Sequence, residues 1–511
     1  MKATNQFVTK FGSLIVAVLG CFDRIIFKGH LSFGDAKYLN AYVDHGLHMR
    51  RKDFYEMLGK KTDALIEHSK AFAEKHGRPW NYFQGKPDKD TLVKSTIAQE
   101  RLTEGLVRVI CCQENCRTLK LLYGEGRPWL GYTFRPQRVL YYYFLDPQFG
   151  LMYIRLQTWF PFAIQVYLNG HDWLAAKMRK AGLGFVQEDN AFVQLDDPER
   201  AQRMADQFQG LPWIRQLKRW ARQVNPLLSE DWLGGKQYYW VLEQAEYSTD
   251  LIFKSAAALN RLYERLLDYA TVSLSADDIL TFLGRKLSGN FQGDVLTDCK
   301  KKRWPGVRVK HRMKQNWLKM YNKSGRVLRV ETVINKSTEF RVRRRVTRKG
   351  RTCMAWCPMN KGVSNFFRYE QVSRAANQRY LDALVVVDDP TVGYRQVEQL
   401  VESKQVDSRR YSGFNPARLW DVQIFKAILH GDNLVHGFRN ADIRTRLHGQ
   451  TRDRDQRRRL STAISRILKR LHVRGLIAKI SRTRRWRITT KGQKLLATTI
   501  RLYYHGYSNA A

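Results

Sequence analysis

The stretch Lys319–Thr332 combines the residue types that a phosphodiester-cleaving site needs. Two basic, strand-like runs are joined there at Ser324-Gly325, which would bring their side chains close together. Arg329 and Glu331 are two residues apart, so in a strand they project from the same face. A carboxylate among cations is what a metal-assisted phosphodiester reaction requires. The residues that we predict to be catalytic are Tyr321, Lys323, Arg329 and Glu331, with Glu331 as a ligand of Mg²⁺ or Mn²⁺.

This stretch resembles the rolling-circle replication initiators of plasmids and phages, which carry a basic-x-Tyr-x-Lys strand followed by an Arg-x-Glu strand. The resemblance implies an endonuclease that nicks one DNA strand through a tyrosine. The chain departs from that class because it lacks a His-hydrophobic-His pair, and no tyrosine lies between Tyr269 and Tyr321. The alternative is a structural hairpin in which Glu331 pairs with Arg329 or with a neighbouring cation.

Two further sets of residues could carry chemistry. The transposases of the RNase H class use carboxylates alone as their metal ligands. Candidate carboxylates of this kind are Asp23, Glu331 and Asp388-Asp389, which lie in or directly after apolar runs. Two-metal chemistry needs such carboxylates to converge, whereas Asp388-Asp389 also fits the end of a helix. The pair His171-Asp172 could act as acid and base, or it could cap the helix that follows the turn at Asn169-Gly170.

The charge of the chain points to a polyanionic partner. The 511 residues include 89 Lys and Arg against 47 Asp and Glu, which gives a net charge of +42. Between Arg454 and Arg501 there are sixteen cations and one acid, and between Lys300 and Arg351 there are twenty cations and two acids. A single-sign excess of this size repels itself unless counter-ions or phosphates neutralise it.

The middle basic block, residues 300–351, alternates cations with aromatic residues. Cations neutralise phosphates and rings stack on unpaired bases, so the block could hold single-stranded DNA or structured RNA. The alternative is that half of the rings face the core. The residues that we predict to contact nucleic acid here are Lys301, Arg303, Lys310, Arg312, Lys314 and Trp317.

The last ninety residues predict a domain that reads duplex DNA. Apolar residues recur at helical spacing in Leu419–His430, Phe438–Leu447 and Arg457–Leu471. A strand, the basic tip Ser481–Arg485 and a second strand then follow before a last helix. The predicted DNA contacts are Arg458, Ser461, Ser465, Arg466, Lys469, Arg470, Arg482, Arg484 and Arg485.

This segment resembles the winged helix-turn-helix core of MarR-type regulators. The resemblance implies a recognition helix at Arg457–Leu471 and a wing around Ser481–Arg485, with the helix in the major groove. It does not fix the function, because the same module occurs in repressors, replication initiators and transposases.

The remaining patterns predict an α+β protein of several domains. The runs Val139–Phe144 and Leu151–Thr158 predict a β-hairpin, while Glu243–Tyr269 reads as helical. The apolar run Leu14–Phe22 is too short to span a bilayer and predicts a buried strand. The expected divisions are an α+β domain at 1–197, a helical and then basic β-rich domain at 198–391, a linker at 392–418 and the winged helix at 419–511.

Two classes of function fit these features. The first is a DNA-processing protein of a mobile element or replicon, cytoplasmic and nucleoid-associated, with metal-dependent strand nicking. The second is a non-enzymatic transcription regulator or a protein that binds structured RNA. A simple regulator rarely needs 400 further residues with a second basic block, which favours the first class. No membrane partner is expected.

Overall fold

The computed structural model describes most of the chain. The described residues are 6–85, 87–124, 126–272, 274, 276–285, 295–300, 307–348, 351–388, 397–430, 433, 437–451, 453–481 and 483–506.

The protein is a mixed α+β, multidomain chain that divides into two compact units. The first unit comprises Leu19–Ser248 and Val333–Gln371. The second unit comprises Met1–Val18, Thr249–Thr332 and Val372–Ala511. The domain limits expected from the sequence remain a prediction.

The helices and strands alternate along the chain without a fixed repeat. The helices are α1 Gln6–Phe11, α2 Ala36–Ala41, α3 Arg51–Lys75, α4 Lys89–Glu100, α5 Gly170–Lys180, α6 Pro198–Ala205, α7 Trp213–Val224, α8 Ala256–Val272, α9 Ala276–Phe282, α10 Phe366–Leu384, α11 Leu419–Ile428, α12 Asn440–His448, α13 Arg454–Val473 and α14 Thr490–Arg501. The strands are β1 Ile15–His30, β2 Trp80–Phe83, β3 Gly105–Leu122, β4 Trp129–Asp146, β5 Gly150–Gln157, β6 Ile164–Asn169, β7 Phe185–Glu188, β8 Ala191–Leu195, β9 Tyr239–Phe253, β10 Val295–Lys300, β11 Arg308–Met313, β12 Asn316–Lys323, β13 Val327–Ile334, β14 Arg341–Arg348, β15 Arg351–Pro358, β16 Lys404–Val406, β17 Arg409–Tyr411, β18 Ile477–Lys479 and β19 Trp486–Ile488.

The first unit is built on a mixed sheet with the strand order β9-β1-β6-β5-β4-β3-β2. Strand β2 runs parallel to β3, whereas β3 to β6 and β1 pair antiparallel. The hairpin expected from Val139–Phe144 and Leu151–Thr158 is confirmed as β4 and β5, with Tyr143 opposite Tyr153. Helices α3 and α4 pack on β3, which encloses a core around Val107, Ile110 and Val139.

The second unit contains the strand order β10-β11-β12-β13-β9. Strands β12 and β13 are joined at Ser324 and Gly325, as expected, and both residues have positive φ, 54° and 71°. This is the backbone conformation of the tightest hairpin turns. Every residue of β13 is buried, so its charged side chains must find partners inside the protein.

The helix expected at Glu243–Tyr269 is wrong in its first part. The chain forms strand β9 up to Phe253 and turns into a helix, α8, only at Ala256. Almost all of β9 is buried or half-buried on both faces. A strand covered on both sides loses the alternation of apolar and polar residues that identifies a strand in a sequence.

The end of the second unit forms a small module, residues 397–506, which we call the C-terminal module. Helices α11, α12 and α13 are followed by the β18–β19 hairpin and α14. The hairpin pairs with the chain just before α12, because Phe438 and Trp486 exchange two backbone hydrogen bonds of 2.8 Å. Apolar side chains of α11, α13 and α14 form one core, which Val397, Leu400 and Phe414 also enter.

No helix in the described ranges combines the length and the apolar character that crossing a membrane requires.

The first prediction concerns His311 on β11, which is fully buried between Thr297 and Tyr380. Its Nδ1 lies 2.9 Å from Thr297 Oγ1 and its Nε2 lies 3.0 Å from Tyr380 Oη. Burial lowers the pKa of His311 to about 3. Between pH 6.5 and 3 the unfolded chain therefore binds a proton at His311 that the folded chain does not. The free energy of unfolding thus has its full value, as far as His311 is concerned, above pH 6.5 and decreases as the pH falls below it.

We expect the free energy of unfolding to fall by on the order of 1 kcal/mol per pH unit below pH 6.5 through this residue. Urea unfolding between pH 7.5 and 4.5 measures the slope, which His311→Gln should flatten. The control is His448→Gln, since His448 is exposed at the end of α12. An unchanged slope in His311→Gln would contradict the assignment.

Candidate functional site

Asp23 on β1 is a buried carboxylate held by amide groups. Its Oδ1 accepts a hydrogen bond of 3.1 Å from Asn169 Nδ2 and one of 2.8 Å from Asn190 Nδ2. The side chain is 7% exposed. Amide donors fix the direction of the carboxylate without removing its negative charge.

The close approach of α5 to β1 brings His171 to Asp23. Helix α5 begins at Gly170, where a Cβ atom would lie 2.2 Å from the carbonyl oxygen of Phe22. Only glycine permits this distance, so the helix starts directly against the strand. His171 is fully buried, with Nδ1 3.7 Å from Asp23 Oδ1 and Nε2 3.4 Å from Ser248 Oγ.

Glu246 on β9 is the second carboxylate of this site in the first unit. It is 7% exposed, and one of its oxygens lies within 4.8 Å of an oxygen of Asp23. Gln244 Nε2 donates a hydrogen bond to Glu246 Oε1. Two carboxylates at this spacing match the way proteins bind Mg²⁺, which takes one or two carboxylates and completes its shell with water or phosphate oxygens.

Asp172 and His171 both lie in the first turn of α5. The backbone N–H of Asp172 and that of His171 are both capped by Asn169 Oδ1, at 3.4 and 2.8 Å. Burial raises the pKa of Asp172, and the negative charge of Asp23 adds to this increase, while His171 and Gln187 oppose it. Asn169, and not the pair His171-Asp172, therefore caps the start of α5.

Glu331 on β13 is almost fully buried in the second unit and pairs with a cation that the sequence did not single out. Its Oε2 lies 2.9 Å from Lys319 Nζ on β12 and accepts a hydrogen bond of 3.4 Å from Tyr321 Oη. The structure therefore brings Tyr321 and Glu331 together, as expected. Glu331 is, like Asp23 and Glu246, a buried carboxylate.

Arg329, predicted to be catalytic, instead forms a buried ion pair with Asp250. Its Nε and Nη2 donate to Asp250 Oδ1 and Oδ2 at 2.7 and 2.6 Å. Both side chains are at most 1% exposed, so neither reaches solvent or a substrate. This two-point geometry is the strongest form of an arginine–carboxylate pair, and it indicates that Arg329 stabilises β9 and β13.

Among the described residues, the predicted contacts of the middle basic block are exposed at Arg312 and half-buried at Lys310, Lys314 and Trp317. Lys310 Nζ lies 3.6 Å from the centre of the Trp317 ring, so that this cation covers the ring expected to stack on bases. Arg312 is exposed and donates from Nε to the carbonyl oxygen of Lys314 at 2.6 Å. Lys323, Lys314 and Trp317 are half-buried. Lys301 and Arg303 lie outside the described residues.

Helix α13 of the C-terminal module presents cations on the face opposite its core. Ile464, Ile467, Leu468 and Leu471 are buried. Residues four or so positions apart share a face of a helix, which places the exposed residues together on the other side. These exposed residues are Arg458, Thr462, Arg466 and Lys469.

Other predicted contacts of this module hold the module together. Ser461 Oγ and Ser465 Oγ bond to the Asn440 side chain at 3.2 and 2.8 Å, which joins α13 to the start of α12. Arg470 donates to the carbonyl oxygens of Ser412 and Gly413.

The basic tip between β18 and β19 contains one exposed and one anchored cation. Arg485 donates from Nη1 to Gly437 O at 3.3 Å, whereas Arg484 is exposed. Arg482 lies outside the described residues.

Sequence reasoning identified Asp23 and Glu331 as candidate carboxylates but missed Glu246. Glu246 lies in the segment Glu243–Tyr269, which was predicted to be helical. That prediction gave no reason to expect Glu246 in a buried strand near Asp23. A carboxylate inside a run of largely apolar residues was the available signal. Asp388 ends a short 3₁₀ turn after α10, in agreement with the helix-end alternative, and Asp389 lies outside the described residues.

Comparison with protein-family models, with curated proteins and with solved structures finds no match for the chain.

The second prediction tests the structural role of Arg329. Asp250→Asn should lower the free energy of unfolding by about 3–5 kcal/mol, because it leaves the buried guanidinium without its counter-charge. The double variant Asp250→Leu with Arg329→Met should cost clearly less than the sum of the two single changes, since it removes both charges. Urea unfolding of all these proteins measures the coupling. Additive effects would mean that the two side chains do not depend on each other.

Proposed function

We propose that the chain is a DNA-processing protein of a mobile element or replicon, which binds duplex DNA through its C-terminal module and cuts one strand with a divalent metal. The observation that carries the proposal is the cationic face of α13 beside a basic hairpin. The strand-cutting part is supported by the buried carboxylates Asp23 and Glu246.

The order of elements in the C-terminal module supports a winged helix-turn-helix. Helix α13 would be the recognition helix, α12 would precede it across the turn, and the β18–β19 hairpin would be the wing. The Asn440 contacts fix α12 against α13, and Phe438 ties the wing to the start of α12. A recognition helix needs this fixed support because a small displacement changes its contacts with the bases.

The charges of the module suit the DNA backbone and the base edges. Arg458, Arg466 and Lys469 extend over about three turns of α13, and an α-helix fits the major groove of B-DNA. Lys479, Arg484 and Arg487 are exposed on and around the hairpin. They would contact the adjacent backbone or the minor groove, as wings and arms do.

A second basic element lies in the first unit, on the hairpin β14–β15. The register places Arg343 opposite Trp356 and Arg345 opposite Met354, and all four side chains are exposed. A two-stranded ribbon is, like a helix, narrow enough for the major groove. The exposed cations of this hairpin support the proposal that the middle basic block contacts nucleic acid. The contacts would be made by Arg343 and Arg345, which were not among the residues predicted from the sequence.

For strand cutting, Asp23 and Glu246 would hold Mg²⁺ or Mn²⁺. Such a metal, when bound, polarises a phosphate and generates hydroxide from water at neutral pH. Asn169 and Asn190 orient Asp23, and His171 Nδ1 lies 3.7 Å from the same carboxylate oxygen. Tyr321 beside Glu331 remains the residue that a tyrosine-dependent reaction would use.

The second candidate function is a non-enzymatic transcription regulator or a binder of structured RNA. The observation that favours it is the ion pairing of Glu331 with Lys319, which gives this carboxylate a structural role. Retained binding together with no metal-dependent cleavage would select this function.

The third prediction concerns duplex binding by the full chain. Replacing Arg458, Arg466 and Lys469 by Ser should weaken binding and lower the slope of log K against log salt by about 0.9 for each phosphate that the variant no longer neutralises. Fluorescence anisotropy with labelled duplex between 50 and about 200 mM salt measures the slope. The control replaces Lys491 and Lys494, exposed cations of α14, and should leave the slope nearly unchanged. Equal weakening in both variants would show that charge alone, and not the α13 face, determines binding.

The fourth prediction concerns the metal. Asp23→Asn and Glu246→Gln keep the shapes of the side chains but remove their charges, so each should abolish nicking of supercoiled plasmid with Mg²⁺ or Mn²⁺ and leave duplex binding intact. Calorimetric titration with Mn²⁺ alone should show loss of binding in both variants, and Asn169→Ala should weaken it roughly 10–100-fold through loss of orientation.

The matched control is Glu199→Gln, which removes an exposed carboxylate of α6 in the same unit. Glu331→Gln separates two roles for that residue: loss of nicking with normal stability would indicate catalysis, whereas loss of stability with normal specific activity would indicate a structural ion pair. Mn²⁺ binding or nicking unaffected by Asp23→Asn would rule out the carboxylate site.

A further inference from the structure

Helix α7 in the first unit is amphipathic, and its outer face carries four exposed cations and no acid. Trp213, Leu217 and Trp220 are buried on the inner side. The helix carries no acidic residue. Its exposed cations are Arg215, Lys218, Arg219 and Arg222.

A groove of about 780 Å³ runs beside this helix. Its lining includes Ile214, Arg215 and Lys218 from the start of α7, together with Tyr239 and Phe367. Three of these apolar side chains are unusually exposed: Tyr239 is 63%, Ile214 is 45% and Phe367 is 39% exposed. Exposed rings along a basic groove are a costly arrangement unless a partner covers them.

The position of the rings is fixed by the backbone below them. Leu242 N donates to Lys361 O at 2.8 Å, and Val241 pairs with Gly362, so the segment before α10 is bound to the start of β9. The floor of the groove includes Trp213 and Phe366, whose ring centres are 5.7 Å apart. The rings of Tyr239 and Phe367 are exposed beside this packed pair, and the Arg368 guanidinium lies 5.0 Å from the centre of the Phe367 ring.

We propose that this groove binds single-stranded nucleic acid, with the cations of α7 on the phosphates and the rings of Tyr239 and Phe367 against the bases. A groove that combines cations with exposed rings is how proteins hold a single strand without sequence preference. The charge argues against a neutral or basic partner, and the exposed rings distinguish a strand with bases from an acidic peptide. The inference rests on the proposed function only in that its ligand is nucleic acid.

The test uses the full chain and a labelled single strand of about 20 nucleotides, long enough to cover a site of the usual size. Tyr239→Ala should weaken binding at least about fivefold, the lower limit for loss of one stacked base. Replacing Arg215 and Lys218 by Ser should lower the salt slope by about 0.7 per phosphate contact. The matched controls are Tyr123→Ala and the pair Lys120→Ser with Arg127→Ser, because these residues are also exposed in the first unit; they should bind as the unchanged protein does.

Three results separate the alternatives. Photo-crosslinking of a single strand that contains 5-iodouracil to Tyr239 or Phe367 would support binding in the groove directly. The Tyr239→Ala variant and the variant with Arg215 and Lys218 replaced by Ser should bind duplex as the unchanged protein does. Poly-glutamate is added as a competitor of the labelled single strand, both to the unchanged protein and to the Tyr239→Ala variant. If it competes as well as an unlabelled single strand, and equally with both proteins, the inference is overturned in favour of an acidic partner. If the chain binds duplex but the groove variants bind single strands normally, the groove inference fails alone; if it binds no nucleic acid, the proposed function fails.

Discussion

Burial of charged groups inside the strands is the constraint on which the two units depend. A charge removed from water is stable only where an opposite charge or hydrogen-bond donors meet it. In the second unit Asp250 meets Arg329 with two short hydrogen bonds, and Glu331 meets Lys319. In the first unit Asp23 receives uncharged amide donors from Asn169 and Asn190. Neither amide brings a positive charge to the carboxylate, in contrast to the arginine and lysine of the second unit.

The sequence predicts the elements whose patterns are local. The first three of the four helices of the C-terminal module follow helical spacing, and their predicted ends differ from the structure by at most three residues. The β12–β13 turn is set by Ser324 and Gly325. Strand β9 could not be recognised, because burial on both faces removed its alternation. Because the segment of β9 was predicted to be a helix, the sequence indicated no role for Glu246 or Asp250. For the same reason Arg329 was predicted to be catalytic, whereas the structure pairs it with Asp250. Which residues meet across strands depends on register, and a single sequence does not fix register here.

The excess of positive charge is distributed over separate surfaces. The face of α13, the β14–β15 hairpin and helix α7 each present cations with few or no acids among them. Each surface has a different shape: one face of a helix, a two-stranded ribbon, and a groove lined by aromatic rings. Different shapes suit different forms of nucleic acid, so a protein that holds both duplex and unpaired strands accounts for a net charge of +42 better than a single DNA-binding module does.

The most direct test of this account is the nucleic acid that the protein retains. The full chain, purified at low salt, and its variant with Arg458, Arg466 and Lys469 replaced by Ser should both be analysed by sequencing of the bound material. The account predicts duplex DNA enriched in one sequence for the unchanged protein, and loss of that enrichment in the variant while some unselective binding persists. Absence of bound nucleic acid, or the same unselective mixture from both proteins, would contradict it.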